Sequence, residues 1–156
     1  MSSFSGKLRL AALFVLLSVT FIISGCSSAD VVVSYVPVNK ADSLGRLQVG
    51  LEFPDTVASY DISLYSRLDC TAKEFSKLKE FPVGIELVSP SGKIYGETVY
   101  VPLDEFGGPD GAVHDFSVPY RTGVVPVEGG EWKMYITLPD ISGLHGMGVI
   151  LKHNNE

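Results

Sequence analysis

Apolar residues recur at every second position along most of this 156-residue chain, and no other feature restricts its fold as tightly. Leu47, Val49, Leu51 and Phe53 alternate with Arg46, Gln48, Gly50 and Glu52. A helix would scatter such a row around its circumference, whereas a strand puts it on one face and leaves the other to water. The pattern returns in Tyr60, Ile62 and Leu64, in Val83, Ile85 and Leu87, in Trp132, Met134, Ile136 and Leu138, and in Met147, Val149 and Leu151.

Turn chemistry separates these rows. Pro54-Asp55 ends one, and Pro139-Asp140 with Ser142-Gly143 ends another. Ser89-Pro90-Ser91-Gly92 supplies a preset φ at Pro90 and a positive one at Gly92, so Ile94–Val101 should return antiparallel to the strand before it. Val31–Val38 is apolar enough for a first strand, and Val113–Val118 and Gly123–Val127 read as shorter ones broken by proline. Pro119 and Pro126 belong on edges because they cannot donate to a ladder. Residues from His153 onward should fray. One short helix is expected at Thr71–Leu78, where Thr71 and Glu74 have capping-box spacing. About eight strands result, and the fold class is all-β: an antiparallel β-sandwich, Ig-like or jelly-roll-like, with a closed β-barrel as the alternative.

The amino terminus reads differently. Lys7 and Arg9 precede the apolar run Leu10–Ile23, and small Ser24 and Gly25 precede Cys26, the arrangement of a bacterial lipoprotein signal. The run is shorter than the ~20 residues that span a hydrocarbon core. The expected organisation is a signal peptide over 1–25, a lipidated terminus and tether over 26–30, and a single sandwich domain over 31–156. Cleavage would leave 131 residues and, without Lys7 and Arg9, shift the formal charge from −6 to −8. So acidic a surface, without a basic run, lacks the footprint for nucleic acid or anionic lipid. Membrane attachment then depends on acyl chains at Cys26. Each buried methylene is worth about 0.8 kcal/mol, so a palmitate-type diacyl anchor holds durably.

An acylated Cys26 leaves Cys70 without a disulfide partner, so the domain must rest on its core. Cys70 is expected to be a buried, small apolar residue. His114, His145 and His153 share no metal-ligand spacing and are expected at the surface. Lys73, Lys77 and Lys79 read as part of a solvated crossover. The acidic, glycine-rich loop Asp104–Ala112 departs from EF-hand spacing, and Gly143, Gly146 and Gly148 precede a strand, which excludes a dinucleotide loop. No Gly-x-Ser-x-Gly elbow occurs. No catalytic residues, metal or cofactor are therefore expected. Outward-facing Tyr65, Tyr100 and Tyr135 are the remaining binding candidates, since exposed rings can engage glycans or protein edges.

Tyr60-Asp61-Ile62-Ser63-Leu64-Tyr65-Ser66-Arg67, the Val83–Gly92 hairpin, Gly130-Glu131-Trp132-Lys133-Met134-Tyr135-Ile136 and Gly143-Leu144-His145-Gly146-Met147-Gly148-Val149, behind a lipobox cysteine, resemble the GldH-type gliding-motility lipoproteins of the Bacteroidetes. Only Gly96 stands where that family often has Gly-x-x-Gly, and the Thr71–Glu80 insert is unusual. The resemblance implies a non-enzymatic envelope lipoprotein of a gliding and secretion-associated complex, with Cys26 as its lipid site. Ser27-Ser28-Ala29-Asp30 lacks an acidic export cluster, so the expected location is the outer membrane, facing the periplasm. A glycan-binding surface lipoprotein of a polysaccharide-uptake system is the alternative.

Overall fold

In the computed structural model of the chain, residues 31–103 and 113–154 are described. Eight strands follow in order: β1 (Val31–Pro37), β2 (Arg46–Phe53), β3 (Ser59–Asp69), β4 (Glu80–Val88), β5 (Ile94–Pro102), β6 (Val113–Val124), β7 (Gly130–Thr137) and β8 (Leu144–Asn154). They form two antiparallel four-stranded sheets, ordered β1-β8-β3-β6 and β2-β7-β4-β5. First pairs with last, second with seventh, third with sixth and fourth with fifth. That is a chain folded back on itself once and then rolled into two layers, the jelly-roll order. Both sheets keep free edges, β1 and β6 on one, β2 and β5 on the other, so the barrel alternative is overturned.

The rows foreseen from the alternation face each other across the layers. Leu47, Val49, Leu51 and Phe53 of β2, Leu64 and Leu68 of β3, Val83 and Ile85 of β4, Met134 and Ile136 of β7, and Met147 and Val149 of β8 are buried. Burying one such side chain fully is worth roughly 1.5–3 kcal/mol, which drives two half-apolar sheets together. Trp132 joins this core, its indole N–H donating to the Glu128 carbonyl at 2.9 Å. The β4–β5 hairpin turns as expected, with Gly92 at φ +84° and its N–H donating to the Ser89 carbonyl.

Three expectations need correction. Val113–Val118 and Gly123–Val127 are not two strands: β6 runs unbroken through Pro119 to Val124, and Pro126 lies beyond it. β6 is an edge strand, and register shifts against Ile62 and Ser63 of β3 absorb the missing donor. His153 does not fray, since β8 continues to Asn154, whose side-chain amide donates to Asp61 at 3.0 Å while His153 stacks on Tyr60. His114 lies in the core at 2% exposure, because it sits on the inward row of β6.

The helical segment is one turn, α1 (Ala72–Phe75), and its capping box is made. The Thr71 N–H donates to the Glu74 carboxylate at 2.9 Å and the Glu74 N–H to the Thr71 hydroxyl at 3.2 Å. Phe75 then drops into the core against His114 and Phe116. Lys73, Lys77 and Lys79 are exposed. No helix among the described residues is long and apolar enough to cross a membrane.

Candidate functional site

All three tyrosines selected by parity point outward, but they do not meet. Tyr65 is on β3 in the first sheet, half-buried, while Tyr135 on β7 and Tyr100 on β5 belong to the second. Tyr135 lies under the Arg46 guanidinium, 4.7 Å from the ring centre. Tyr100 is 61% exposed near the end of an edge strand.

Tyr65 gains partners that sequence reasoning missed. Gly148 of β8 is opposite Tyr35 on one side and Tyr65 on the other, so the two rings approach across a strand without a side chain, 5.7 Å apart and edge to face. Gly146 is opposite Arg67, and a Cβ there would collide with the Tyr35 hydroxyl. Arg67 reaches over the Tyr35 ring and grips Asp115 of β6 with two parallel bonds of 2.6 and 2.7 Å. The hydrogen bonds from Arg67 hold the Asp115 carboxyl below its ordinary range against the opposing effect of burial, and the same contact pushes the guanidinium up. Burial first, then Asp115, raises the Tyr65 phenol. The result on the outer face of the first sheet is a fixed patch of two rings and a neutralised ion pair. A signal was present: glycines at alternate positions of β8 leave room for rings on its neighbours.

The second candidate surface is the free edge of β5. Its register with β4 runs from Val88–Ile94 to Glu80–Pro102 without a shift. Ile94, Gly96, Thr98 and Tyr100 form an exposed outward row that carries no charge. The strand's one ionised residue, Glu97, belongs to the inward row, where the Tyr120 hydroxyl and the Arg121 guanidinium of β6 donate to it. Burial and that carboxylate raise the Tyr120 phenol. Two of the other edges are guarded: β6 carries Pro119, register shifts and charged Asp115 and Arg121, and β2 turns Arg46 and Glu52 outward, whereas the shorter β1, in unbroken register with β8, carries no charge and has proline only at its end. An unguarded edge is a template for a further strand.

Among the described residues, the Cys70 thiol is not hydrogen-bonded to a histidine. Cys70 is half-buried, packed against the core, and its backbone carbonyl, not its thiol, lies 2.9 Å from His114 Nε2. Burial, then Glu74 and Asp69, pushes the thiol up and away from the nucleophilic thiolate. His145 pairs with Asp69 at 3.5 Å on the surface. Among the described residues no cluster of three or more His, Cys, Asp or Glu side chains could hold a metal. A cleft of about 260 Å³ opens between β1 and β2, apolar through Val32, Leu51, Val149 and Leu151. Cys26 and the loop Asp104–Ala112 lie outside the described residues.

No family model matches the chain, and no curated protein matches it. Among solved structures it is similar to one described as TmCBM61 in complex with β-1,4-galactotriose, with a TM-score of 0.33 and 14% identity. The match covers 71% of this chain and 62% of that one, less than two thirds of its length. At that level the likeness carries no argument about a ligand.

Proposed function

We propose that this chain is a lipid-anchored, non-enzymatic protein of the bacterial envelope that docks onto other envelope proteins, as its resemblance to the GldH-type lipoproteins implies. The observation that carries the docking is the β5 edge: nine residues in unbroken register with an uncharged outer row, longer than the seven-residue edge β1, while edges β2 and β6 are blunted by charge, proline or bulges. Lys7, Arg9, the Leu10–Ile23 run and Cys26 support the anchor. The proposed location is the outer membrane with the sandwich facing the periplasm.

Two measurements test this. Mass spectrometry of the membrane-extracted protein should find an acylated Cys26 at the amino terminus, and Cys26→Ser should abolish both acylation and membrane retention. Crosslinking in cells should recover envelope proteins with the wild-type chain and lose them with Thr98→Lys, which puts a charge on the β5 edge. Recovery unchanged by Thr98→Lys would sink edge docking, and protease removal of the protein from intact cells would sink the periplasmic orientation.

A second reading, glycan binding, is favoured by the Tyr35-Tyr65-Arg67-Asp115 patch, which offers aromatic faces beside polar groups. In affinity electrophoresis against envelope and plant polysaccharides, this reading requires a retardation that Tyr35→Ala or Tyr65→Ala removes.

A further inference from the structure

We infer that the β5 edge pairs with β5 of a second copy of this chain, antiparallel about a two-fold axis at Thr98, joining two sheets into one of eight strands. This rests on the edge-docking reading and names its occupant. Backbone parity supplies the first argument. In the β4–β5 hairpin the Ser89 N–H donates to the Lys93 carbonyl, so residue 93 and every second residue after it direct their backbone groups at β4. Pro82 and Pro102, which lack an N–H, fall on the non-bonded pairs Pro82–Tyr100 and Glu80–Pro102, as that parity demands. The groups left facing outward are those of Ile94, Gly96, Thr98 and Tyr100, with the carbonyl of Pro102. An axis through Thr98 matches this set to itself. Thr98 meets Thr98, Gly96 meets Tyr100, and Ile94 meets Pro102, so that the missing donor of each copy falls at an end pair. Axes at Gly96 or Tyr100 use fewer residues.

Side-chain complementarity supplies the second. Two hydroxyls meet at the axis, a favourable cross-strand pair. Tyr100 of each copy covers Gly96 of the other, filling a gap that glycine leaves on a strand. On the opposite face Tyr95 meets Val101 and Glu97 meets Val99, so no charge is directly opposed by a like charge, and the two Glu97 side chains are diagonal neighbours across the axis. Glu97 is already neutralised within its own chain by Arg121. A two-fold contact closes on itself and leaves no further β5 edge exposed. The net charge of −6 per chain opposes association at long range, so dimerisation should strengthen as salt is raised.

The test uses the full chain in detergent. Directly opposed residues of a bonded antiparallel pair have Cα atoms about 5.5 Å apart, within disulfide reach. Thr98→Cys should give a covalent dimer under mild oxidation, whereas the wild-type chain and Gln48→Cys, on the outward row of edge strand β2, should not. Sedimentation should find the wild-type chain dimeric and Thr98→Lys monomeric with an unchanged unfolding transition. A monomeric wild-type chain, or Thr98→Cys that forms no dimer, overturns the inference. If in that case Thr98→Lys still abolishes recovery of envelope partners, the edge receives another protein and the docking reading stands. If recovery is also unaffected, both fall.

Discussion

Gly148 shows how much a missing side chain can decide. A Cβ there would meet the Tyr35 Cα at 2.8 Å and press on the Ser34 carbonyl, backbone that cannot give way without pushing β1 off β8. Gly148→Ala should therefore cost about 2–3 kcal/mol, read as a lower midpoint in urea, with near-ultraviolet tyrosine dichroism changing as the rings separate. The Arg67–Asp115 pair makes a prediction of sign. Because the folded state holds the Asp115 carboxyl below its ordinary value of 3.8, its contribution is fully present above that value. It is lost as the pH falls below 3.8 through the folded value, as the unfolded chain takes up the proton first. Asp115→Asn should flatten the acid side of the stability profile and leave its slope above about pH 5 unchanged, measured by denaturation across that range. His114 is packed against Phe75 and bonded to the Cys70 carbonyl, with Nδ1 buried and unpaired. Replacing it by alanine should cost about 3 kcal/mol from the cavity and the orphaned carbonyl together.

At the scale of single elements, strands are specified by more than their own alternation. β3 alternates cleanly, β8 buries Gly146 and Gly148 as well as Met147 and Val149, and the two are the inner strands of the first sheet. β5 alternates too, with Tyr95, Glu97, Val99 and Val101 inward, yet a charge in that row hides the pattern until Arg121 and Tyr120 are seen to meet it. Pro119, which normally ends a strand, divides β6 in the sequence, and only its place at the edge lets the strand continue. The single turn of helix is the opposite case, set by local chemistry. Thr71 caps the turn that seats Phe75 at 3% exposure, so Thr71→Ala should destabilise the protein by about 1 kcal/mol. The same unfolding experiment checks it, and no change would mean that Phe75 alone holds the turn.

For the molecule as a whole, the roll couples the ends of the chain. β1 pairs with β8 over seven residues, and β8 is also the partner of β3, so the first sheet cannot form until the last strand arrives. Pairings this distant in sequence carry a loop-closure cost before they repay it, which places refolding in the millisecond-to-second range rather than microseconds. Stopped-flow fluorescence of Trp132 should record it, and a chain ending before Leu144 should show no cooperative unfolding transition. The dimer inferred at β5 would add a concentration-dependent phase after this folding, since the edge exists only once β4 and β5 are docked.

Composition and alternation by themselves determined which residues of β2, β3, β4, β7 and β8 turn inward, because side-chain direction follows from the two-residue repeat of a single extended segment. They also determined the hairpin at Ser89–Gly92 and the cap at Thr71, both made by residues within a few positions of each other. Only the tertiary structure decided which strands lie side by side, and with that the meeting of Tyr35, Tyr65, Arg67 and Asp115, the burial of His114, and the exposure of β5 as an unguarded edge. Strand order is a compromise between loop closure and the burial of all inward rows at once, and no single segment carries that information.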